Sequence, residues 1–117
     1  MPKSAVEEEL ALELKANRIG FCREVRLIPK RKFRWDFVIN NLAIEIQGGI
    51  FKGSRGGHTS GKGYQRDCEK MQLVVMEGYI PVHFTSDDVR KGRAVEVIKE
   101  LLNGRHHTSP EVGAANR

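Results

Sequence analysis

The chain has 117 residues, of which 39% are hydrophobic and 30% charged, a composition typical of one soluble globular domain. No apolar run approaches the ~18 residues of a membrane-spanning helix, and the first ten residues, MPKSAVEEEL, lack the apolar stretch of a secretory signal. The two cysteines have no CxxC spacing, which argues against a disulfide framework or a zinc site and favours a cytoplasmic location.

The net charge of +5 is concentrated in one part of the sequence. From residue 25 to residue 66 there are nine lysines or arginines but only two acidic residues, Asp36 and Glu45. A basic surface of this kind favours binding to a polyanion, most often a nucleic acid. A solvated surface with no such partner is the alternative.

Residues 4–17, SAVEEELALELKAN, show the apolar periodicity of an amphipathic helix. Ser4 stands where an N-cap is expected, and Glu7 follows three residues later, as in a capping box. Of the three successive glutamates, Glu7 alone falls beside the apolar stripe and is angled towards the body of the protein. Two roles stay open for it, the capping box and a functional site.

Three short strands are predicted next, at residues 22–29, 33–39 and 42–47. Asn40-Asn41, between the second and the third, is a two-residue hairpin signal because asparagine tolerates positive φ. The alternation of the second strand divides its side chains between two faces, with Phe33, Trp35, Phe37 and Ile39 on one and Arg34, Asp36 and Val38 on the other.

The register that this turn imposes places Asp36 directly opposite Glu45. Two carboxylates in a cross-strand pair repel each other, and the pair costs stability unless a cation offsets it. Mg²⁺ binds hard oxygen ligands such as carboxylates and water, so the pair predicts a divalent-metal site. The alternatives are an exposed carboxylate paired with Arg34 or Lys32, or a register shifted by one residue.

The stretch from residue 48 to residue 63 holds seven glycines among basic residues, which favours a long functional loop. A helix at 63–77, a strand at 79–85, a turn that opens at Ser86 and an amphipathic helix at 93–102 follow. The core face of the helix at 63–77 is expected to carry Tyr64, Cys68, Met71 and Val75.

The order of predicted elements is α-β-β-β-α-β-α, which indicates an α/β fold with a mixed central sheet flanked by helices. Residues 1–104 would form this single domain. The tail at 105–117 has no periodicity and is expected to be disordered.

WDFVI, then IEIQGG, a glycine-rich stretch with His58 and GYQRDCEK together resemble the PD-(D/E)XK nuclease superfamily. The resemblance covers residues 5–103 and is to compact members related to very-short-patch-repair endonucleases, with phage Holliday-junction resolvases of similar size. It implies a restriction-endonuclease-like core and a Mg²⁺-dependent endodeoxyribonuclease, with Mn²⁺ as a substitute. It also implies DNA repair or recombination in a bacterial or phage-infected cytoplasm. The family's acidic positions correspond to Asp36 and Glu45, and a helix-borne acid to Glu7.

Two positions depart from the family pattern. Trp35, not proline, precedes Asp36, and Gln47 stands where the motif has lysine. Members of such families sometimes supply the lysine from the following helix, where Lys70 is the candidate and Asp67 could orient it. Lys70 could equally form only a surface ion pair with Asp67.

The resemblance implies metal-assisted hydrolysis of a phosphodiester. The metal would be held by Asp36, Glu45 and the Ile46 carbonyl. Gln47 and Lys70 would position water or neutralise the phosphate. The activity would be nicking, double-strand cleavage or junction resolution.

DNA is the expected partner, and a homodimer would suit symmetric junctions. Contacts to the DNA backbone are expected from Lys30, Arg31, Lys32, Arg34, Lys52, Arg55, His58, Lys62 and Arg66. The alternative to the enzyme is a DNA-binding module that keeps the fold with a degraded catalytic site, which the missing motif lysine supports.

Overall fold

The computed structural model describes residues 3–47 and 61–104, except for the side chains of residues 61 and 62. The elements, in chain order, are α1 (Lys3–Ala16), β1 (Cys22–Val25), β2 (Trp35–Ile39), β3 (Leu42–Gln47), α2 (Gly61–Met76), β4 (Ile80–Thr85), α3 (Ser86–Arg90) and α4 (Arg93–Leu102). Apart from α3, the order is the one predicted.

The four strands form one mixed sheet in the order β1-β2-β3-β4. The pairs β1–β2 and β2–β3 are antiparallel, whereas β3 and β4 run parallel. Helices cover the sheet, so the predicted α/β class is confirmed. Pro81 lies in β4 at one edge of this sheet, where a missing N–H interrupts no ladder on the outer side.

The β2–β3 hairpin has the predicted register near its turn, with Ile39 opposite Leu42 and Phe37 opposite Ile44. Asn40 has a φ of 52°, the left-handed conformation that asparagine adopts more readily than most residues. The turn chemistry and the register therefore agree.

The ladder with β3 stops at Phe37, and the Asp36–Glu45 ladder pair that the register predicts is not formed. Instead, the Ile46 backbone N–H donates to Asp36 Oδ2 over 2.8 Å. In β1, Glu24 has a φ of 52° at the position between the residues paired with Phe37 and Trp35. The sheet is therefore irregular around Asp36.

This irregularity reverses the face of Trp35. Phe37 and Ile39 pack on the α1 side of the sheet. Trp35 packs with Ala43 and Val74 on the α2 side, against which Phe33 is also packed. The prediction that all four side chains share one face was wrong, because it assumed unbroken alternation through Asp36.

Helix α1 packs on the first face of the sheet through Val6, Leu10 and Leu14, all fully buried. Helices α3 and α4 complete this layer through Val89 and Ile98. Among the described residues, the interior is apolar on both faces of the sheet apart from the buried Glu7 and Asp36.

Helix α1 already includes Lys3, so Ser4 lies within the helix and is not its N-cap. Of the two roles left open for Glu7, the capping box is therefore not formed. Glu7 is instead buried, with 7% of its surface exposed. A buried carboxylate on the core side of a helix needs cationic or hydrogen-bonding partners.

Helix α2 is rotated relative to the prediction. Val74 is fully buried, whereas Tyr64 and Val75, which were expected on the core face, are 67% and 54% exposed. The side that meets the sheet carries Met71 and Val74 together with Lys70. The apolar pattern misled because a lysine occupies part of the face turned inward.

The turn predicted at Ser86 is the short helix α3. Thr85 is its N-cap: Thr85 Oγ1 accepts from the Asp88 N–H, and Asp88 Oδ2 accepts from the Thr85 N–H, each over 3.0 Å. This capping box accounts for a helix of only five residues directly after β4.

Candidate active site

Three carboxylates from three different elements converge at the end of the sheet near Asp36. Glu7 comes from α1, Asp36 from β2 and Glu45 from β3. The side chains of Glu7 and Asp36 are 9% and 8% exposed, and that of Glu45 is 18% exposed. Such enclosed carboxylates cost free energy unless cations or hydrogen bonds compensate them.

The Lys3 ammonium lies between these carboxylates. Lys3 Nζ is 3.3 Å from Asp36 Oδ2, 3.8 Å from Glu7 Oε2 and 4.0 Å from Glu45 Oε2. Burial disfavours the charged ammonium, but the three carboxylates outweigh it and raise the pKa of Lys3 above its usual value. A single cationic group thus contacts all three acids.

Glu7 has a second cationic neighbour, Arg23 of β1. Arg23 donates to Glu7 Oε1 over 3.3 Å and to Glu8 Oε2 over 2.7 Å, and its guanidinium lies 5.2 Å from the centre of the Phe37 ring. Burial, with the nearby charge of Asp36, nevertheless raises the pKa of Glu7 above its usual value. Glu7 is therefore held in the cluster against a net electrostatic cost.

Glu24 also borders the cluster, at the distorted position of β1. Oxygens of Glu7, Glu24 and Asp36 all lie within 4.8 Å of one another, a spacing that could hold a metal ion. Arg34 Nη1 lies 3.9 Å from Glu24 Oε1 on the outer side. Arg34 therefore contacts Glu24 and not Gln47, which the unbroken register would have placed opposite it.

Lys70 approaches Glu45 from the other side, where α2 lies. Lys70 Nζ donates to Glu45 Oε1 over 2.7 Å and to the Arg34 carbonyl over 3.0 Å. The same ammonium lies 4.4 Å from the centre of the Trp35 ring, a cation–π contact. The lysine is largely enclosed, 17% exposed, and its partner is Glu45, not the surface ion pair with Asp67 that was the alternative.

Gln47 and His83 form a polar pair beside Lys70. Gln47 Nε2 lies 2.8 Å from His83 Nδ1, on the neighbouring strand β4. The His83 ring makes an edge contact with Trp35, and partial burial lowers the pKa of His83 although Glu45 opposes this. A cleft of about 170 Å³ opens here, lined by Glu45, Gln47, Asp67, Lys70, Met71 and His83.

Five of the nine basic residues predicted to bind DNA have described side chains. Lys30 and Lys32 are exposed, on a segment whose residues 26–32 line an open groove of about 420 Å³. Arg34 and, on α2, Arg66 are also exposed. Arg31 differs from them because it pairs with Glu69 Oε1 over 2.7 Å and lies over the Phe33 ring.

Other predicted contacts cannot be placed. Lys52, Arg55 and His58 lie outside the described residues, as does the tail at 105–117, and the side chain of Lys62 is not described.

Sequence reasoning missed three residues that border the carboxylates: Lys3, Arg23 and Glu24. Lys3 had one signal, its position four residues before Glu7 on the same helix face. Glu24 had none, because its orientation depends on a positive φ that no local sequence pattern indicates.

Among residues 3–47 and 61–104, no helix is both long enough and apolar enough to span a membrane.

The arrangement of helices and sheet is similar to that of an endonuclease catalytic domain. The solved structure is the catalytic domain of the homing endonuclease I-Bth0305I, with a TM-score of 0.57 and 17% sequence identity.

The alignment covers 85% of this chain and 90% of that domain, so the likeness extends over nearly the whole fold. No protein-family model and no curated protein matches the chain. The resemblance to the PD-(D/E)XK superfamily therefore stays a prediction.

Proposed function

We propose that the chain is a divalent-metal-dependent DNA endonuclease with its catalytic site at Asp36, Glu45 and Glu7. The observation that carries the proposal is the convergence of these carboxylates from three elements on one cation, Lys3 Nζ. The shared fold with the catalytic domain of a homing endonuclease supports the reaction class.

The residues present fit a divalent cation. Carboxylate oxygens are ligands that Mg²⁺ and Mn²⁺ take, and the position of Lys3 Nζ lies within 4.0 Å of three of them. Asp36 and Glu45 would hold the ion, and Ile46 could add only its backbone carbonyl, because its hydrocarbon side chain offers no ligand atom and packs in the core. When bound, the ion would polarise the phosphate and lower the pKa of a bound water.

In this proposal, Lys70 has the role that the lysine has in the PD-(D/E)XK motif. Its ammonium reaches Glu45 from α2, and Trp35 and the Arg34 carbonyl fix its position. A positioned positive charge there would stabilise the charge that develops on the phosphate as water attacks phosphorus and the bond to the leaving oxygen breaks. Gln47 is already engaged with His83 and brings no charge.

DNA would lie along the basic surface next to the site. Lys30, Lys32 and Arg34 are exposed in the segment that leads into β2, and Arg66 is exposed on α2. These side chains would bind backbone phosphates, which positions the strand without reading its sequence. Arg31 would need to exchange Glu69 for a phosphate.

Plasmid cleavage with purified protein in Mg²⁺ or Mn²⁺ tests the proposal. We expect Asp36→Asn and Glu45→Gln each to lower the cleavage rate at least ~100-fold, since even groups behind a metal's ligands are worth ~10–100-fold. Asp87→Asn is the matched control, because Asp87 is an exposed carboxylate on α3 that pairs with Arg90 and Lys91. If the wild-type protein cuts no form of DNA with either metal, the proposal that it is an endonuclease is refuted.

A DNA-binding module without catalysis is the second candidate. Two observations favour it: glutamine at the motif's lysine position, and a lysine ammonium among the carboxylates that would bind metal. It predicts DNA binding that is equal in wild type and Asp36→Asn, with no cleavage by either.

The preferred DNA form and the oligomeric state are parts of the same proposal. Supercoiled plasmid, linear duplex, single strands and a four-way junction, compared at one enzyme concentration, separate nicking, double-strand cleavage and junction resolution. A homodimer would place two active sites about a two-fold axis, as symmetric junctions require. Sedimentation with and without the junction measures this directly.

A further inference from the structure

Lys3 contacts the carboxylate cluster in a way that its place in the helix does not require. A lysine four residues before a glutamate on a helix ordinarily pairs with that glutamate alone. Lys3 Nζ is instead nearest to Asp36 Oδ2, at 3.3 Å, and is farther from Glu7, at 3.8 Å. The ammonium is therefore placed by the whole cluster.

The lysine and the carboxylates differ in access to solvent. The Lys3 side chain is 42% exposed, whereas those of Asp36 and Glu7 are below 10%. The long, flexible lysine stem can withdraw its ammonium into water. Asp36 is held by the Ile46 N–H and cannot follow. The carboxylates are the fixed part of the arrangement, and the ammonium is the part that can leave.

A divalent cation would use the same oxygens that Lys3 now neutralises. Its bonds to carboxylate oxygen are ~2.0–2.6 Å long, well inside the 3.3–4.0 Å range of the Lys3 contacts. Like charges so close in an enclosed site repel each other. Simultaneous occupancy is therefore unfavourable.

We infer that Lys3 is the internal counter-ion of the metal site, that a divalent cation displaces its ammonium, and that Lys3 thereby sets the metal affinity. This inference rests on the metal site of the proposed function but not on DNA hydrolysis. In the metal-free protein the ammonium offsets the repulsion among the carboxylates. In the metal-bound protein it faces solvent.

Calorimetric titration with Mn²⁺ and Mg²⁺, without DNA, tests the affinity. We expect Lys3→Gln to bind Mn²⁺ about tenfold more tightly than wild type, as when a competing state fills ~90% of the sites. Lys15→Gln is the matched control, because Lys15 is exposed in the last turn of the same helix. It should bind as wild type does.

Lysine labelling tests the displacement in the wild-type protein. Acetylation of Lys3 by an N-hydroxysuccinimide ester, read by mass spectrometry, should rise severalfold when the metal saturates the site, while that of Lys15 stays constant. Tighter binding by Lys3→Gln without increased labelling of Lys3 would mean that its charge acts from a fixed position, and it would overturn displacement.

The remaining outcomes separate the two proposals. If wild type and Lys3→Gln bind Mn²⁺ equally, Lys3 does not set the affinity, while the metal site stands. Weaker binding by Lys3→Gln would also refute the inference, because the lysine would then support the ion. If neither protein binds Mn²⁺ or Mg²⁺, the inference and the metal dependence of the proposed function fail together.

Discussion

Lys70 and Glu45 are 25 residues apart in the chain and meet in an enclosed hydrogen bond of 2.7 Å. The family motif would bring a lysine to this glutamate from two residues along the same strand, where Gln47 stands. In this protein the charge reaches Glu45 from a helix across the cleft. The same charge next to the same carboxylate can thus be supplied by a different element.

Lys70→Met should lower the cleavage rate about 100-fold, because a positioned donor that stabilises transition-state charge is worth ~10²–10³-fold. Adding Gln47→Lys to this variant should restore part of the rate, since the new ammonium extends from β3 on the face that carries Glu45. The rates are measured as single-turnover cleavage of a labelled duplex.

Lys91→Met is the control for the loss of a lysine, because Lys91 is exposed beyond α3 and pairs with Asp87. Circular dichroism checks that Lys70→Met folds, since the variant also loses the cation–π contact with Trp35. Cleavage at the wild-type rate by folded Lys70→Met would show that Lys70 only packs against the indole.

At the scale of single residues, the sequence indicated that Asp36 and Glu45 lie close together. The regular cross-strand pairing from which this followed is only partly present. Their strands were paired by the Asn40-Asn41 turn, yet Asp36 accepts the Ile46 N–H in place of a regular ladder. The spacing of Lys3 and Glu7 indicated at most a pair between these two, because the contact of Lys3 with Asp36 depends on a rotamer. Glu24 could not be predicted, because its position depends on a positive φ that leaves no pattern in the sequence.

Helix α1 carries two glutamates on its inner side whose charge is disfavoured in the fold. Burial, with Asp36, raises the pKa of Glu7, and burial, with Glu9, raises that of Glu13. One of the two is in the carboxylate cluster and the other is two turns further along the helix. They allow the cost of gathering carboxylates in one cluster to be separated from the cost of burying any single glutamate.

Glu7→Gln should raise the free energy of unfolding at pH 7. With a folded pKa above the usual 4.5, the folded state binds more protons than the unfolded state between those two values, so stability falls as pH rises through that window. The ionised carboxylate therefore destabilises the fold at neutral pH, and glutamine removes that cost. Urea unfolding at pH 7 and at about pH 3.5, below the ordinary pKa of glutamate, measures it. The gain should be absent at the lower pH.

Glu13→Gln should show the same pH signature without any change in Mn²⁺ binding, whereas Glu7→Gln should weaken that binding. Lower stability of Glu7→Gln at pH 7 would contradict the argument. It would mean that the ion pairs of Glu7 with Arg23 and Lys3 outweigh its burial.

At the scale of elements, the hairpin turn and the register beside it were predicted well, whereas the rotation of α2 was not. A two-residue asparagine turn determines a register through backbone geometry alone. The rotation of α2 depends on Lys70, which turns inward towards Glu45 and takes a place that an apolar residue would fill. Apolar periodicity assumes that charges face outward, and at a functional site that assumption fails.

For the whole molecule, the distribution of charge is the property most relevant to DNA. The net charge is +5, and Lys30, Lys32, Arg34 and Arg66 are exposed. The side chains of Glu7 and Asp36 are enclosed, each less than 10% exposed. We expect a polyanion to be attracted to these exposed basic side chains.

The double variant Lys30→Gln/Lys32→Gln should weaken DNA binding more at low salt than at high salt. Each phosphate contact adds ~0.9 to the slope of log affinity against log salt for duplex DNA, so the slope should fall in magnitude by about 2. Fluorescence anisotropy of a labelled duplex measures the slope, on an Asp36→Asn background so that the DNA stays intact.

Lys91→Gln/Lys99→Gln makes the same change in net charge at α3 and α4, where both lysines pair with acidic side chains. Its slope should match that of Asp36→Asn alone. Equal slopes for the two double variants would place the DNA elsewhere and would remove the segment at residues 26–32 from the binding surface.

The α/β class and the mixed sheet followed from the order of elements and the hydrophobic patterns, which depend on short-range sequence. The division of the β2 side chains between the two faces of the sheet did not follow from these patterns, because the distortion at Asp36 places Trp35 on the α2 side. The hydrophobic patterns of the core can be recognised in short stretches of sequence. The carboxylate cluster interrupts these patterns, because its contacts join residues that are distant in sequence.

Trp35 gives the protein an optical property. It is the only tryptophan in the chain, its side chain is fully buried, and the Lys70 ammonium lies 4.4 Å from the centre of its ring. Indole emission responds to nearby charge, and Trp35 immediately precedes Asp36. All tryptophan fluorescence of the protein therefore originates beside the carboxylates. A change of charge there would shift the wavelength or the intensity of this emission, without an added dye.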